Sequence, residues 1–362
     1  MGSAAMGAGD EATGGRALDW IQTYAASEIV EYADEGRYSR REMMIRLAAV
    51  CGSATAAAAF LASCSSGTTS TGPTSVVAPN GSTPASTAGG TGGGSGGGSS
   101  TTTAERRGGS TPAAGTGTPP PTDGPAGHVL SVAADDPDVK AGDITFTGPA
   151  GELLAYEAQP SAAGSRPGII VIHEIFGLTD HIKDVARRLA KVGFHAVALD
   201  LASRAGGTAA AANNVAGALT QGSPDDRMAD LDATLAHLEA QSDVDGKIGV
   251  VGFCYGGGMT YAYAAHQPKV LAAVPYYGPT PQPASQLGAT KAAILAHYGE
   301  TDTRVNAGIP AAQEALAGKD FETQIHPGAG HAFNNDTGGA YNETEAVAAW
   351  TATIAWFREH LA

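Results

Sequence analysis

Gly252-Phe253-Cys254-Tyr255-Gly256 sets a thiol between two glycines in the spacing G-x-C-x-G, directly after the β-branched apolar run 248–251. A nucleophile carried on a sharp strand-to-helix turn needs that spacing. Side chains two positions to either side would collide with the strand or the helix, and glycine removes them. Such a turn aims Sγ outward at a helix N-terminus, where free N–H groups and the helix dipole favour thiolate over thiol. It also leaves the N–H of Tyr255 facing the place where an oxyanion would develop. The same letters would describe a small buried cysteine packed beside glycines. An activated thiol further needs a base, and the base an orienting acid. Asp302 follows the apolar run 293–298, and His331 lies in the glycine-rich stretch 327–333 after the run 321–326. His326, inside that last run, is the rival base, and Asp200 is the rival acid.

These residues need strands to end beneath them. Short apolar or β-branched runs at 144–147, 153–157, 168–172, 194–199, 248–251, 270–276, 293–298 and 321–326 read as about eight strands. Helical spacing appears between them, as at Ile182, Val185 and Leu189, and at Met228, Leu231, Leu235 and Leu238. Asn342 and Glu345 have capping-box spacing ahead of a closing helix. Strands alternating with helices imply an α/β fold, a mostly parallel sheet covered on both faces, with reactive groups on loops at the carboxyl ends of the strands. The chain order Cys254, Asp302, His331 is the nucleophile–acid–histidine order of α/β-hydrolases. Directly after the strand at 168–172 stands His173-Glu174-Ile175-Phe176-Gly177-Leu178. In an α/β-hydrolase this loop supplies the second oxyanion N–H, here that of Ile175.

With Gly252–Gly256, His173–Leu178 and Gly330-His331-Ala332-Phe333 in view, the chain resembles the dienelactone hydrolase family from about residue 126 to its end. The resemblance implies the α/β-hydrolase fold and a Cys254–His331–Asp302 triad, with Ile175 and Tyr255 forming the oxyanion hole. It implies that Glu174 holds the resting thiol protonated, and that Arg204 binds a substrate carboxylate. The family's second arginine, beyond the histidine, falls here on Asn335. That departure, with the acidic chain, argues against an anionic dienelactone as the substrate.

The 362 residues carry a formal charge of −15, from 36 acidic against 21 basic side chains. That balance argues against nucleic-acid binding, which needs a basic face. No histidine or acid cluster has metal-ligand spacing along the sequence, so no metal or other cofactor is expected. Residues 1–63 read as an N-terminal extension and signal. Leu18, Ile21, Ala25, Ile29 and Tyr32 make a weak amphipathic pattern, expected to be solvated or partly helical. Arg40-Arg41 precedes an alanine-rich run at 47–61 and then Leu61-Ala62-Ser63-Cys64, the pattern of a twin-arginine export signal with a lipidation site at Cys64. A single membrane span is the other reading of that run, which falls short of the roughly 20 apolar residues a span requires. Residues 64–127, nearly all Ser, Thr, Gly, Pro and Ala, read as a flexible tether, and 128–362 as the hydrolase domain. The expectation is a lipid-anchored, exported hydrolase of small carboxylic esters or lactones that works through an acyl-thioester. A thioesterase, or a non-catalytic binding module on the same scaffold, is the alternative.

Overall fold

The computed structural model describes residues 19–34, 36, 38–65 and 130–362. The segment read as a tether lies outside them, apart from its first two residues. The chain divides into one compact unit of residues 1–62 with 120–362 and a second of residues 63–119, of which only 63–65 are described. Three N-terminal helices, α1 (Trp20–Asp34), α2 (Arg40–Cys51) and α3 (Ala54–Ser65, its last three residues in the second unit), precede an eight-stranded sheet in the chain. Its strands are β1 (Val139–Gly148), β2 (Gly151–Pro160), β3 (Arg166–Ile172), β4 (His195–Leu199), β5 (Val244–Phe253), β6 (Val270–Tyr276), β7 (Ala293–Gly299) and β8 (Phe321–His326). Between them run α4 (Asp180–Lys191), α5 (Gly207–Ala211), α6 (Val215–Leu219), α7 (Pro224–Glu239), α8 (Tyr255–His266), α9 (Thr303–Asn306) and α10 (Ile309–Ala315), and α11 (Glu343–His360) closes the chain.

The order across the sheet is β1-β2-β4-β3-β5-β6-β7-β8. The β1–β2 and β2–β4 pairs are antiparallel, and every later pair is parallel. Register shows why the central strands are apolar throughout. Gly168 pairs with Ile248 and Ile169 with Gly249. A Cβ at Gly168 would meet Leu238 of α7, whereas one at Gly249 would meet Phe357 of α11. Successive residues point to opposite faces of a strand, so α7 and α11 cover opposite faces of the sheet. Central strands buried from both sides need continuous Val, Ile and Ala rather than alternation, as in Ile169–Ile172 and Ala196–Leu199.

Two N-terminal expectations change. The amphipathic stretch is α1, and Ile21, Ala25, Ile29 and Tyr32 are buried in the main core rather than solvated. Its start is closed by a reciprocal cap in which Asp19 accepts from the Gln22 N–H and Gln22 from the Asp19 N–H. The run after Arg40-Arg41 is two helices meeting at 106° rather than one. The break is at Gly52, whose φ of 81° only glycine adopts without strain. Ser39 and Glu42 form a capping box at the start of α2. Leu47, Val50 and Ala57 are buried, and Cys64 is exposed. Among the described residues no single helix is long and apolar enough to cross a membrane.

Candidate active site

β5 ends at Phe253 and α8 begins at Tyr255, leaving Cys254 alone on the turn with φ 56° and ψ −118°. That backbone is strained for a residue with a Cβ. It is held by the Cys254 N–H donating to the Tyr276 carbonyl at 3.0 Å. The two flanking glycines are steric necessities. A Cβ on Gly252 would stand 2.2 Å from the Gly256 carbonyl oxygen, and one on Gly256 2.2 Å from that of Ile172. Tyr255 is the first residue of α8, where N–H groups have no intrahelical acceptor. Ile175 is buried in the loop after β3.

Asp302 follows β7 and caps α9, its Oδ1 accepting from the Val305 N–H at 3.2 Å. Its Oδ2 lies 2.6 Å from His331 Nδ1, which fixes the ring and turns Nε2 toward the thiol. His331 reaches this position from the loop after β8, whose next turn is anchored by Asp336 to His181 and Arg188 of α4. The rivals are committed elsewhere. His326 bonds His297 at 3.0 Å and Glu345 at 2.9 Å. Asp200 accepts from the Thr208 N–H and hydroxyl at 2.6 and 2.9 Å.

Two expected contacts are replaced. Glu174 is buried beside the thiol, but its carboxylate accepts from Asn335 Nδ2 at 2.7 Å and from the Tyr277 hydroxyl at 3.4 Å. The hydrogen bond expected from the thiol to Glu174 runs instead to Glu28 of α1, with Sγ 3.7 Å from Oε2. Arg204 is not free for a substrate. Its Nε and Nη2 donate to Asp230 at 2.7 and 3.0 Å, and Nη1 lies 3.3 Å from Asp226. Both carboxylates stand on α7, 22 and 26 residues further along the chain, a juxtaposition that the sequence alone does not display.

Glu28 is the residue that sequence reasoning missed. It is fully buried, 3.6 Å from His331 Nε2, and ion-paired to Arg304. Tyr24, one turn earlier, sets its hydroxyl 3.5 Å from Sγ. The signal was a carboxylate on the apolar stripe of α1, between Ala25 and Ile29. Burial alone would lower the His331 pKa, but the charges of Glu28 and Cys254 and the Asp302 hydrogen bond hold it well above the usual imidazole value. Burial would raise Glu28, yet His331 and Arg304 lower it. Burial would also raise Asp302, and the His331 bond lowers it. For Cys254, burial and then the Glu28 charge push the thiol up, against the pull of His331. With α1 in place these shifts favour the protonated form of both His331, set between two carboxylates, and the Cys254 thiol.

A ring nitrogen of His331, Sγ of Cys254 and a carboxylate oxygen of Glu28 all lie within 4.8 Å of one another. These donor types suit a zinc-like ion, a grouping from residues 226 and 77 positions apart that sequence spacing could not reveal. Each charged member already has a protein partner, Glu28 in Arg304 and His331 in Asp302.

The chain matches the dienelactone hydrolase family over residues 153–361. It is 36% identical over 256 residues to a Methylorubrum extorquens protein named "Putative carboxymethylenebutenolidase", spanning 65% of this chain and 87% of that one. A like-named Yersinia pestis protein is 36% identical over 239 residues, 61% of this chain and 89% of that one. Among solved structures, a dienelactone hydrolase-like promiscuous phosphotriesterase from metagenomic libraries superposes with a TM-score of 0.56 at 28% identity, covering 62% of this chain and all of that one.

Proposed function

The chain belongs to the dienelactone hydrolase family, a hydrolase of lactone or ester bonds on an α/β-hydrolase fold, and from that premise we propose that it works through a Cys254–His331–Asp302 triad and an acyl-thioester. The observation that carries this reading is the elbow. A strained thiol at the carboxyl end of β5 faces a histidine whose far nitrogen is locked by Asp302 at 2.6 Å. In turnover, His331 takes the thiol proton, Sγ attacks the carbonyl carbon, and the N–H groups of Ile175 and Tyr255 receive the oxyanion. Collapse breaks the bond to the leaving oxygen, which takes the proton from His331. His331 then deprotonates water for attack on the thioester, and the acid leaves with the thiol restored. Glu174, held by Asn335, sits where its charge acts on this proton traffic.

Small esters and lactones are the substrate class, and thioesters follow the same steps. Assaying a panel of lactones, p-nitrophenyl esters and thioesters with wild type and Cys254→Ala tests the reading. Hydrolysis lost in the variant with the fold unchanged supports it, and hydrolysis retained removes the covalent thiol. Export and lipidation at Cys64 are a separate proposal, supported by Arg40-Arg41 and Leu61–Cys64. Its test is release from the membrane fraction in Cys64→Ser. Cleavage before Cys64 would detach α1, and with it Glu28.

A further inference from the structure

The inward face of α1 carries Ile21, Tyr24, Ala25, Glu28, Ile29 and Tyr32, all buried. Five of these are what a docked amphipathic helix needs. The sixth is a fully buried carboxylate, which is costly unless paired. Glu28 is paired with Arg304 on one side and His331 on the other. Its position is what matters. Oε2 lies 3.7 Å from Sγ and 3.6 Å from His331 Nε2. A scissile carbonyl carbon must come to about 3 Å from the nucleophile, with its leaving oxygen in reach of the base. Glu28 fills that volume, and the Tyr24 hydroxyl closes it from above the sulfur. Docked α1 and bound substrate therefore exclude one another.

Electrostatics act in the same direction. Glu28, 3.6 Å from His331 Nε2, supplies the counter-charge that a thiolate would otherwise give the imidazolium, which favours a base that already holds its proton. Besides its buried apolar face, the helix is held to the domain by ion pairs at its start and along one arginine. Asp19 pairs with Arg227 at 3.0 Å, and Glu31 accepts from Arg304 Nε at 2.8 Å. Cavities flank it on both sides. One of about 770 Å³ lies between Trp20, Tyr24, Pro279, Thr280 and Arg304. Another of about 240 Å³ lies between Glu31, Asp302, Arg304 and His331. Arg304 lines both, and Cys254 lines neither.

We propose that α1 is an intramolecular plug, that Glu28 holds the thiol–histidine pair out of action, and that substrate binds in the cleft opened across Arg304 when α1 leaves. The proposal rests on the catalytic reading of Cys254 and His331, but the alkylation part of its test needs no substrate. In the full chain, alkylation of Cys254 is followed by peptide mass with small iodoacetamide and with a bulky biotin-maleimide, in wild type, Glu28→Gln and Arg304→Gln, each checked for its melting transition. The second variant loosens the same contact from the other partner should the first fail to fold. In wild type the bulky reagent is excluded far more than the small one. Both variants speed the bulky reagent by about tenfold or more, because removing one partner of a buried ion pair leaves the other uncompensated, and hydrolysis rises with it. Equal acceleration of both reagents would mean that only the charge on sulfur changed, and would overturn the plug. So would a wild-type thiol open to both reagents, or loss of hydrolysis in Glu28→Gln. Hydrolysis surviving in Cys254→Ala would overturn the catalytic reading instead, whatever the alkylation shows.

Discussion

Cys254 takes a φ of 56° because the turn must end β5 and begin α8 within one residue, and that strain exposes its N-terminal setting to the reacting carbonyl. Cys254→Ser is expected to be severely impaired, since a hydroxyl needs more help from its base than a thiol. The comparison of kcat for the two nucleophiles checks it. His331→Ala is expected to lower kcat by about three orders of magnitude or more, whereas His326→Ala acts on stability through His297 and Glu345. The reverse pattern would move the base into β8. Cys254, Asp302 and His331 were legible because each follows a strand, so strand signals and chain order located them together. Glu28 was not, because its contact with Sγ spans 226 residues and nothing local says what an amphipathic helix docks against. Arg204 and the expected thiol–Glu174 bond differ for the same reason: which partner wins a charged side chain is decided by distant elements.

At the scale of elements, the loop bearing His331 depends on α4. Asp336 ion-pairs with Arg188, accepts from the Ser131 hydroxyl at 3.1 Å, and lies 3.0 Å from His181 Nδ1. Burial would raise its pKa, but the His181 bond and the Arg188 charge hold it well below the usual carboxylate range. Asp336→Ala leaves Arg188 buried with Asp184 as its remaining carboxylate, at an expected cost of about 3–5 kcal/mol. Chemical denaturation reads that cost, and a loss below about 1 kcal/mol, the range of an exposed pair, would show that the loop is held by other contacts. The strands themselves were readable from apolar runs. The position of β4 between β2 and β3 was not, because spatial order depends on how crossovers pack rather than on composition. The break between α2 and α3 hinged on Gly52, one glycine within an alanine-rich run.

For the molecule as a whole, charge sets the pH window. Glu157, lowered to about 2, is drawn down against its burial by His195 and His237. Asp302, Glu28 and Asp336 are also depressed. A depressed carboxylate contributes stability above its unfolded pKa and loses it as pH falls through the folded value. His195 and His331 are raised, so their contribution is complete below the ordinary imidazole range and is lost as pH rises through the folded value. Thermal melts across pH are expected to fall away below about pH 4. They should also decline on the alkaline side as His331 loses its proton and α1 its ion pair. A melting temperature that stays level into acid would show that these carboxylates are not coupled to folding.

The central claim is a covalent acyl group on one sulfur. The direct measurement is acid quenching of the enzyme during turnover of a p-nitrophenyl ester, followed by peptide mass mapping, in wild type and in His331→Ala, where deacylation should stall. The account predicts one acyl adduct, on the peptide containing Cys254, labile to hydroxylamine and absent in Cys254→Ala. An adduct on another residue, or turnover persisting in Cys254→Ala with no adduct, would contradict it.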